Sequence, residues 1–94
     1  MAFYAATYVY GNAEVQAEHR PAHREYLGAK YEEGVLVASG PFVTGDTPGA
    51  LLIFKADSQQ EVADILAQDP MTLGGAVLET TLREWNPVFG NLGA

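Results

Sequence analysis

From Phe3 to Tyr10 the chain reads FYAATYVY, a run of aromatic, β-branched and small residues that stops at Gly11-Asn12. Ring and branched side chains pack well on a pleated surface, so this run predicts a strand. A helical pattern follows and closes at Gly34, a residue type suited to the left-handed backbone at a helix C-terminus. Pro21 is comfortable in a first helical turn and costs about 3 kcal/mol in an interior. The regular helix is therefore expected over 21–33, with 13–20 forming a separate turn. Val35 to Gly40 reads as a short strand, Thr44 to Gly49 as a loop with strong turn chemistry, and Ala50 to Ala56 as a third strand. Ser58-Gln59-Gln60-Glu61 matches a capping box and opens a second helix through about Gln68, which Pro70 stops. Ala76 to Trp85 is the last strand, before Pro87.

The order β-α-β-β-α-β is the α+β, ferredoxin-like plan: a four-stranded antiparallel sheet with two helices on one face. A sheet covered on one face only should alternate apolar and polar residues. Here Phe3, Ala5, Thr7 and Val9 alternate with Tyr4, Ala6, Tyr8 and Tyr10, and Leu51 and Ile53 with Leu52 and Phe54. Both faces are largely apolar, so the face away from the helices is expected to pack on a second copy, in a homodimer assembled as a dimeric α+β barrel. The plainer alternative is tyrosines that simply face water.

Size and charge sharpen this picture. At 94 residues the chain is expected to form one domain over 1–94, regular over about 3–88 with a flexible tail at 89–94. A chain this short buries only about 60–65% of its unfolded surface, which also favours self-association. Twelve acidic residues against five basic ones give a net charge of −7, unsuited to nucleic acid or an anionic membrane as main partner. No cysteine is present, which rules out a disulfide framework, a thiol nucleophile and a cysteine metal site. No basic leader and no apolar run of about 18 residues appears, so the expected location is the cytoplasm.

Two residues stand out chemically. His23 shares a helical stripe with Tyr26, Leu27 and Tyr31 and so points towards the sheet. If Pro21 opens the helix, His23 lies in the first turn, where the macrodipole disfavours imidazolium and keeps the ring neutral, as a general base requires. The ordinary alternative is a core histidine with a satisfied hydrogen bond. Asp69 continues the apolar stripe Val62, Ile65, Leu66, which places a carboxylate inward at the unfavourable end of the second helix. Its alternative is helix-stop chemistry with Pro70. Together the two residues can form an imidazole–carboxylate pair that fixes the tautomer and strengthens the base. His19 is four residues from His23, but no metal-binding motif surrounds them, and Pro21 is expected to leave His19 exposed outside the helix. Gly34, Gly40, Gly45 and Gly49 form no phosphate-binding fingerprint, and Glu32-Glu33 reads as a solvated helix end.

Arg20-Pro21-Ala22-His23 followed by Tyr26-Leu27, then Glu33-Gly34-Val35-Leu36-Val37-Ala38-Ser39-Gly40-Pro41, then Asp69-Pro70, resembles the YciI-like family (YCII-related domain) over roughly residues 3–88. Its pattern is an R-x-x-H helix start, a G-x-L-x-x-(A/S)-G-P strand and a D-P after the second helix. The resemblance implies a dimeric α+β barrel with an active site built on His23 and Asp69. It also implies a pocket bordered by Ser39, Gly40 and Pro41. Arg20 matches the family's arginine and is placed to hold an anionic substrate group, or else is a surface residue at a helix start. Most members have no assigned reaction; one branch is similar to a dehydrochlorinase of a chlorinated hydroxyhydroquinone, and related barrels include muconolactone isomerases and cofactor-free monooxygenases. The 42–49 loop is shorter here than in longer relatives, so a relative's substrate does not transfer.

The reading from sequence is a small cofactor-independent lyase or isomerase, with no metal, in which His23, oriented by Asp69, moves a proton on a small aromatic or enol-type substrate. Ser39 lacks the strand-turn-helix elbow of a nucleophile. The alternatives are a non-catalytic module that binds a small hydrophobic ligand, and a domain that docks to another protein.

Overall fold

The computed structural model describes residues 1–90; the expected flexible tail lies outside them from residue 91 on. The elements are β1 (Ala2–Tyr10), α1 (Ala13–Glu32), β2 (Leu36–Pro41), β3 (Gly49–Ala56), α2 (Gln59–Ala67), α3 (Pro70–Leu73) and β4 (Val77–Trp85). The strands form one antiparallel sheet in the order β2-β3-β1-β4, the ferredoxin-like arrangement expected from the element order. No helix among the described residues is long and apolar enough to cross a membrane.

The core lies between the helices and one face of the sheet. Tyr4, Ala6, Tyr8 and Tyr10 of β1 are buried there with Leu52 and Phe54 of β3, beneath Leu27 of α1, Val62 and Leu66 of α2 and Met71 of α3. The opposite face carries Phe3, Ala5, Thr7 and Val9, only partly buried, beside Leu51 and Ile53. Cross-strand partners share a face, so Trp85, paired with Phe3, joins this second apolar surface. Thr7 and Thr81 hydrogen-bond across it.

Helix α1 differs from the expectation. It begins at Asn12, whose side chain accepts hydrogen bonds from Glu14 N at 2.8 Å and Val15 N at 3.2 Å, and it runs through Pro21 without stopping. The cap satisfies the first orphan amides, so the helix is established well before the proline. Pro21 and Ala17, whose carbonyl loses its usual donor, are both exposed, so water can take the missing hydrogen bond. Residues 13–20 are therefore helical, and His23 sits near the middle of α1. The dipole argument for a neutral His23 falls with the misplaced helix start. The C-terminus follows the expectation: Gly34 has φ 82°, Gly34 N donates to Tyr31 O and Val35 N to Lys30 O, both at 3.0 Å.

A second difference lies at Asp69. Helix α2 opens as expected, with Glu61 N donating to Ser58 Oγ at 3.2 Å, while the Glu61 carboxylate accepts from Asp57 N one residue earlier than a capping box requires. It ends at Ala67 with Gln68 as C-cap, and Asp69 N still donates to Leu66 O at 3.3 Å, so Asp69 directly follows its C-terminus as expected, but the helix does not run on to be stopped by Pro70. Pro70 instead starts the short α3, and Asp69 caps it by accepting from Met71 N.

Backbone approach decides two glycines. A Cβ on Gly49 would collide with the backbone carbonyl of Tyr8, which the sheet holds in place, whereas a Cβ on Gly28 in α1 meets nothing within 4 Å. Gly49→Ala should cost about 1–3 kcal/mol through overpacking, and Gly28→Ala should gain about 0.5–1 kcal/mol through helix propensity. Urea midpoints check the pair, and equal shifts for both would contradict this register of β1 and β3.

Candidate functional site

The chemistry centres on a buried carboxylate. Asp69 has no exposed surface, and α3 begins at its own backbone, which fixes where its side chain can reach. Its oxygens accept from three elements: the Tyr8 hydroxyl of β1 at 2.7 Å, the Met71 amide of α3 at 3.0 Å, and His23 Nδ1 of α1 at 2.7 and 2.9 Å. An ionised carboxylate can only accept, so Nδ1 carries the hydrogen of this contact. In the neutral ring Nε2 then holds the lone pair, the form a general base needs. The pair read from sequence thus exists in space, with His23 on the helix stripe expected of it and Asp69 buried beyond the end of α2.

Tyrosines register the carboxylate's field. The Tyr8 hydroxyl is pushed well above the ordinary tyrosine range, chiefly by burial, then by the charge of Asp69 and the hydrogen bond it donates there. It therefore remains a donor across the physiological range. Tyr10 is pushed up to about 12, first by burial and then by Asp69, with Arg20 pulling the other way.

His23 lines a cavity of about 550 Å³ between α1 and the β2 side of the sheet. Helix α1 supplies Arg20, His23, Arg24, Leu27, Gly28 and Tyr31 to one wall. The other walls come from β2 (Leu36 and 38–41), from Ala50 and Leu52 of β3, from Tyr10 and from Met71. The expected pocket residues Arg20, Ser39, Gly40 and Pro41 all line this space, while Asp69 stands behind His23 and does not. Arg20 Nη2 lies 3.4 Å from Gln16 Oε1, and the buried Gln16 donates its amide to the Gly11 carbonyl at 2.9 Å.

His19 behaves differently from the expectation of an exposed residue outside the helix. It lies within α1, its side chain 29% exposed, with its ring seated over Gly74 where no Cβ would fit. That contact packs α1 against the end of α3. His19 does not line the cavity with His23.

Two contributors escaped the sequence reading. Tyr8 follows the strand alternation and reads as core; nothing in the pattern marks its hydroxyl as a partner of Asp69. Arg24 carried a usable signal, since Arg20 and Arg24 are four apart and must share a helix face.

Comparisons with known proteins fit this geometry. The family model of the YCII-related domain matches residues 1–86. The uncharacterized protein YjpA of Bacillus subtilis (strain 168) is 37% identical over 68 residues, 72% of this chain and 76% of that protein. The 5-chloro-2-hydroxyhydroquinone dehydrochlorinase TftG of Burkholderia phenoliruptrix AC1100, in complex with 2,5-dihydroxybenzoquinone, superposes with a TM-score of 0.77 at 22% identity, over 89% of this chain and 93% of that one. An antibiotic biosynthesis monooxygenase gives 0.59 at 17% identity, over 94% and 99%. At these identities the structural likeness establishes the fold.

The Tyr10 shift has a measurable sign. Its hydroxyl holds its proton more tightly folded than unfolded, where it titrates near 10, so the linked stability is complete below about pH 10 and is lost as pH rises through about 12. Tyr10→Phe should make the urea midpoint fall less steeply over that interval; a slope equal to the parent's would show that another group carries the effect.

Proposed function

The chain belongs to the YCII-related domain family, and we propose that it is a small cofactor-independent enzyme of the lyase or isomerase kind, with His23 as its general base. The observation that carries this reading is the orientation of His23. Nδ1 is held by a fully buried carboxylate while the ring lines a cavity lined largely by apolar and aromatic side chains. Removal of a proton from a phenolic or enolic hydroxyl, or from the acidic carbon beside a carbonyl, needs a positioned base and a site for a flat molecule. In such a step the proton goes to Nε2 and the electron pair it leaves shifts into the conjugated system. In an isomerisation the imidazolium returns that proton to another carbon and a double bond is relocated; in an elimination the pair forms a new double bond to the carbon that loses halide, and the proton leaves to solvent. Asp69 stabilises the imidazolium so formed, and Tyr8 holds Asp69 in place. Arg20, Ser39, Gly40 and Pro41 wall the substrate. The chlorinated hydroxyhydroquinone substrate named for TftG fits this class of chemistry, and the cytoplasm is the proposed setting.

Chlorinated hydroquinones, with and without a ring carboxylate, are the first substrates to test, with halide release as the readout. His23→Ala should lower turnover by about 10²–10⁴-fold with ligand binding retained, and Asp69→Asn should lower it less while redistributing the His23 tautomers seen by ¹⁵N NMR. Turnover unchanged in His23→Ala would overturn the reading, and binding without turnover in every variant would favour a ligand-binding module.

The second apolar face of the sheet supports a homodimer packed through Phe3, Ala5, Val9, Leu51, Ile53 and Trp85. Sedimentation at micromolar concentration should give about twice the 10.1 kDa of the chain, and Leu51→Lys, at an exposed position of that face, should shift the protein to monomer. A wild-type monomer would contradict this assembly.

A further inference from the structure

We infer that the substrate is a carboxylic acid, its carboxylate held between Arg20 and Arg24 while its ring or enol lies against His23. This inference rests on the cavity being the substrate site and adds the class of substrate it takes. The chain has five cationic side chains against twelve acidic ones. Lys30 pairs with Glu33 at 3.7 Å. Lys55, over the Phe3 ring, and Arg83 belong to the sheet face away from the helices. The remaining two, Arg20 and Arg24, both line the cavity, and no Asp or Glu side chain does. Neither arginine forms an ion pair among the described residues.

Their placement is built. Residues four apart on a helix lie one above the other, about one turn of 5.4 Å along the axis, so two guanidiniums flank the strip of α1 from which His23 projects. Arg20 is further held by Gln16, which is 6% exposed: its amide donates to the Gly11 carbonyl, turning its own oxygen to the guanidinium. A buried glutamine spent on orienting one arginine is a costly arrangement for a merely solvated charge. Arg20 also acts on the cavity, since it works against the rise in the Tyr10 hydroxyl. The carboxylate behind the cavity wall, Asp69, is fully buried beyond His23 and already accepts from three partners. The rest of the lining, Leu27, Leu36, Leu52, Met71 and Tyr10, suits a flat apolar body. A planar carboxylate at one end matches the forked donors of arginine. In a chain of net charge −7, which repels anions in general, this is a local reversal of sign.

The test compares 2,5-dihydroxybenzoate with 2,5-dihydroxybenzamide, which differ in charge and hardly in shape, by isothermal titration calorimetry on the full chain. The acid should bind about tenfold more tightly or better, and added salt should reduce the difference. The preference should disappear in R20Q/R24Q, survive in part in R20K/R24K, which keeps the charge, and persist in His23→Gln. Equal affinity for acid and amide, no binding of either, or a preference undiminished in an R20Q/R24Q protein with a normal unfolding transition would each overturn the inference. The persistence in His23→Gln separates it from the base: an acid preference without His23-dependent turnover removes the proton-transfer reading and leaves the anion site standing.

Discussion

A carboxylate with no access to water is the constraint around which this small protein is arranged. Asp69 loses its hydration entirely on folding, and an isolated buried charge costs several kcal/mol unless partners replace the lost water. Three donors do so, and each comes from a different element: a strand through Tyr8, a helix through His23, and the backbone of the short turn of helix that Asp69 itself caps. The charge can be buried only when β1, α1 and α3 are docked in register. It thereby ties the site's geometry to the fold's integrity. Removing any single donor leaves the cost of burial in place and subtracts only the compensation, so each partner is more consequential than an ordinary hydrogen bond.

The same arrangement fixes how His23 presents its ring to the cavity. In water the two ring nitrogens compete for the proton; beside an acceptor-only carboxylate they do not. Orientation, tautomer and the stabilisation of a positive ring all follow from one contact. In the proposed reading the arginines act on a different variable, the charge of what enters, from the same helix face. Helix α1 then carries the proposed base and the proposed anion site within two turns, and its packing through Leu27 on the sheet and His19 on Gly74 sets the position of both.

Much of this was legible in the sequence. The strands were marked by aromatic and β-branched runs cut by glycine and proline, and the observed boundaries differ by a residue or so from the expected ones. The inward direction of His23 followed from its spacing to Leu27 and Tyr31. Helix α1 was misjudged because the cost of an interior proline is local, whereas the Asn12 cap and exposure of the Ala17 carbonyl that offset it are properties of the whole helix. Asp69 was legible as the inward continuation of the Val62, Ile65, Leu66 stripe, while its second role was not: Asp-Pro follows the end of one helix and is also the start of another. Tyr8 stayed hidden because burial and hydrogen bonding are separate facts, and alternation reports only the first. Arg24 was passed over beside the more conspicuous His23, although its distance from Arg20 already placed the two on one face.

The far wall of the cavity is made differently from the near one. Where α1 presents charged and polar side chains, β2 presents Ala38, Ser39, Gly40 and Pro41, residues with little side chain, and a Cβ on Gly40 meets nothing within 4 Å. The hydrogen bonds described for Asp69 come from Tyr8, His23 and Met71 and involve none of these residues. The buried charge and the shape of the β2 wall thus reside on separate segments of the chain. Lengthening a side chain on β2 reshapes the space offered to a ligand without removing a donor of the buried charge, a division of labour that lets one scaffold diverge towards many small molecules while Asp69 and its donors stay constant.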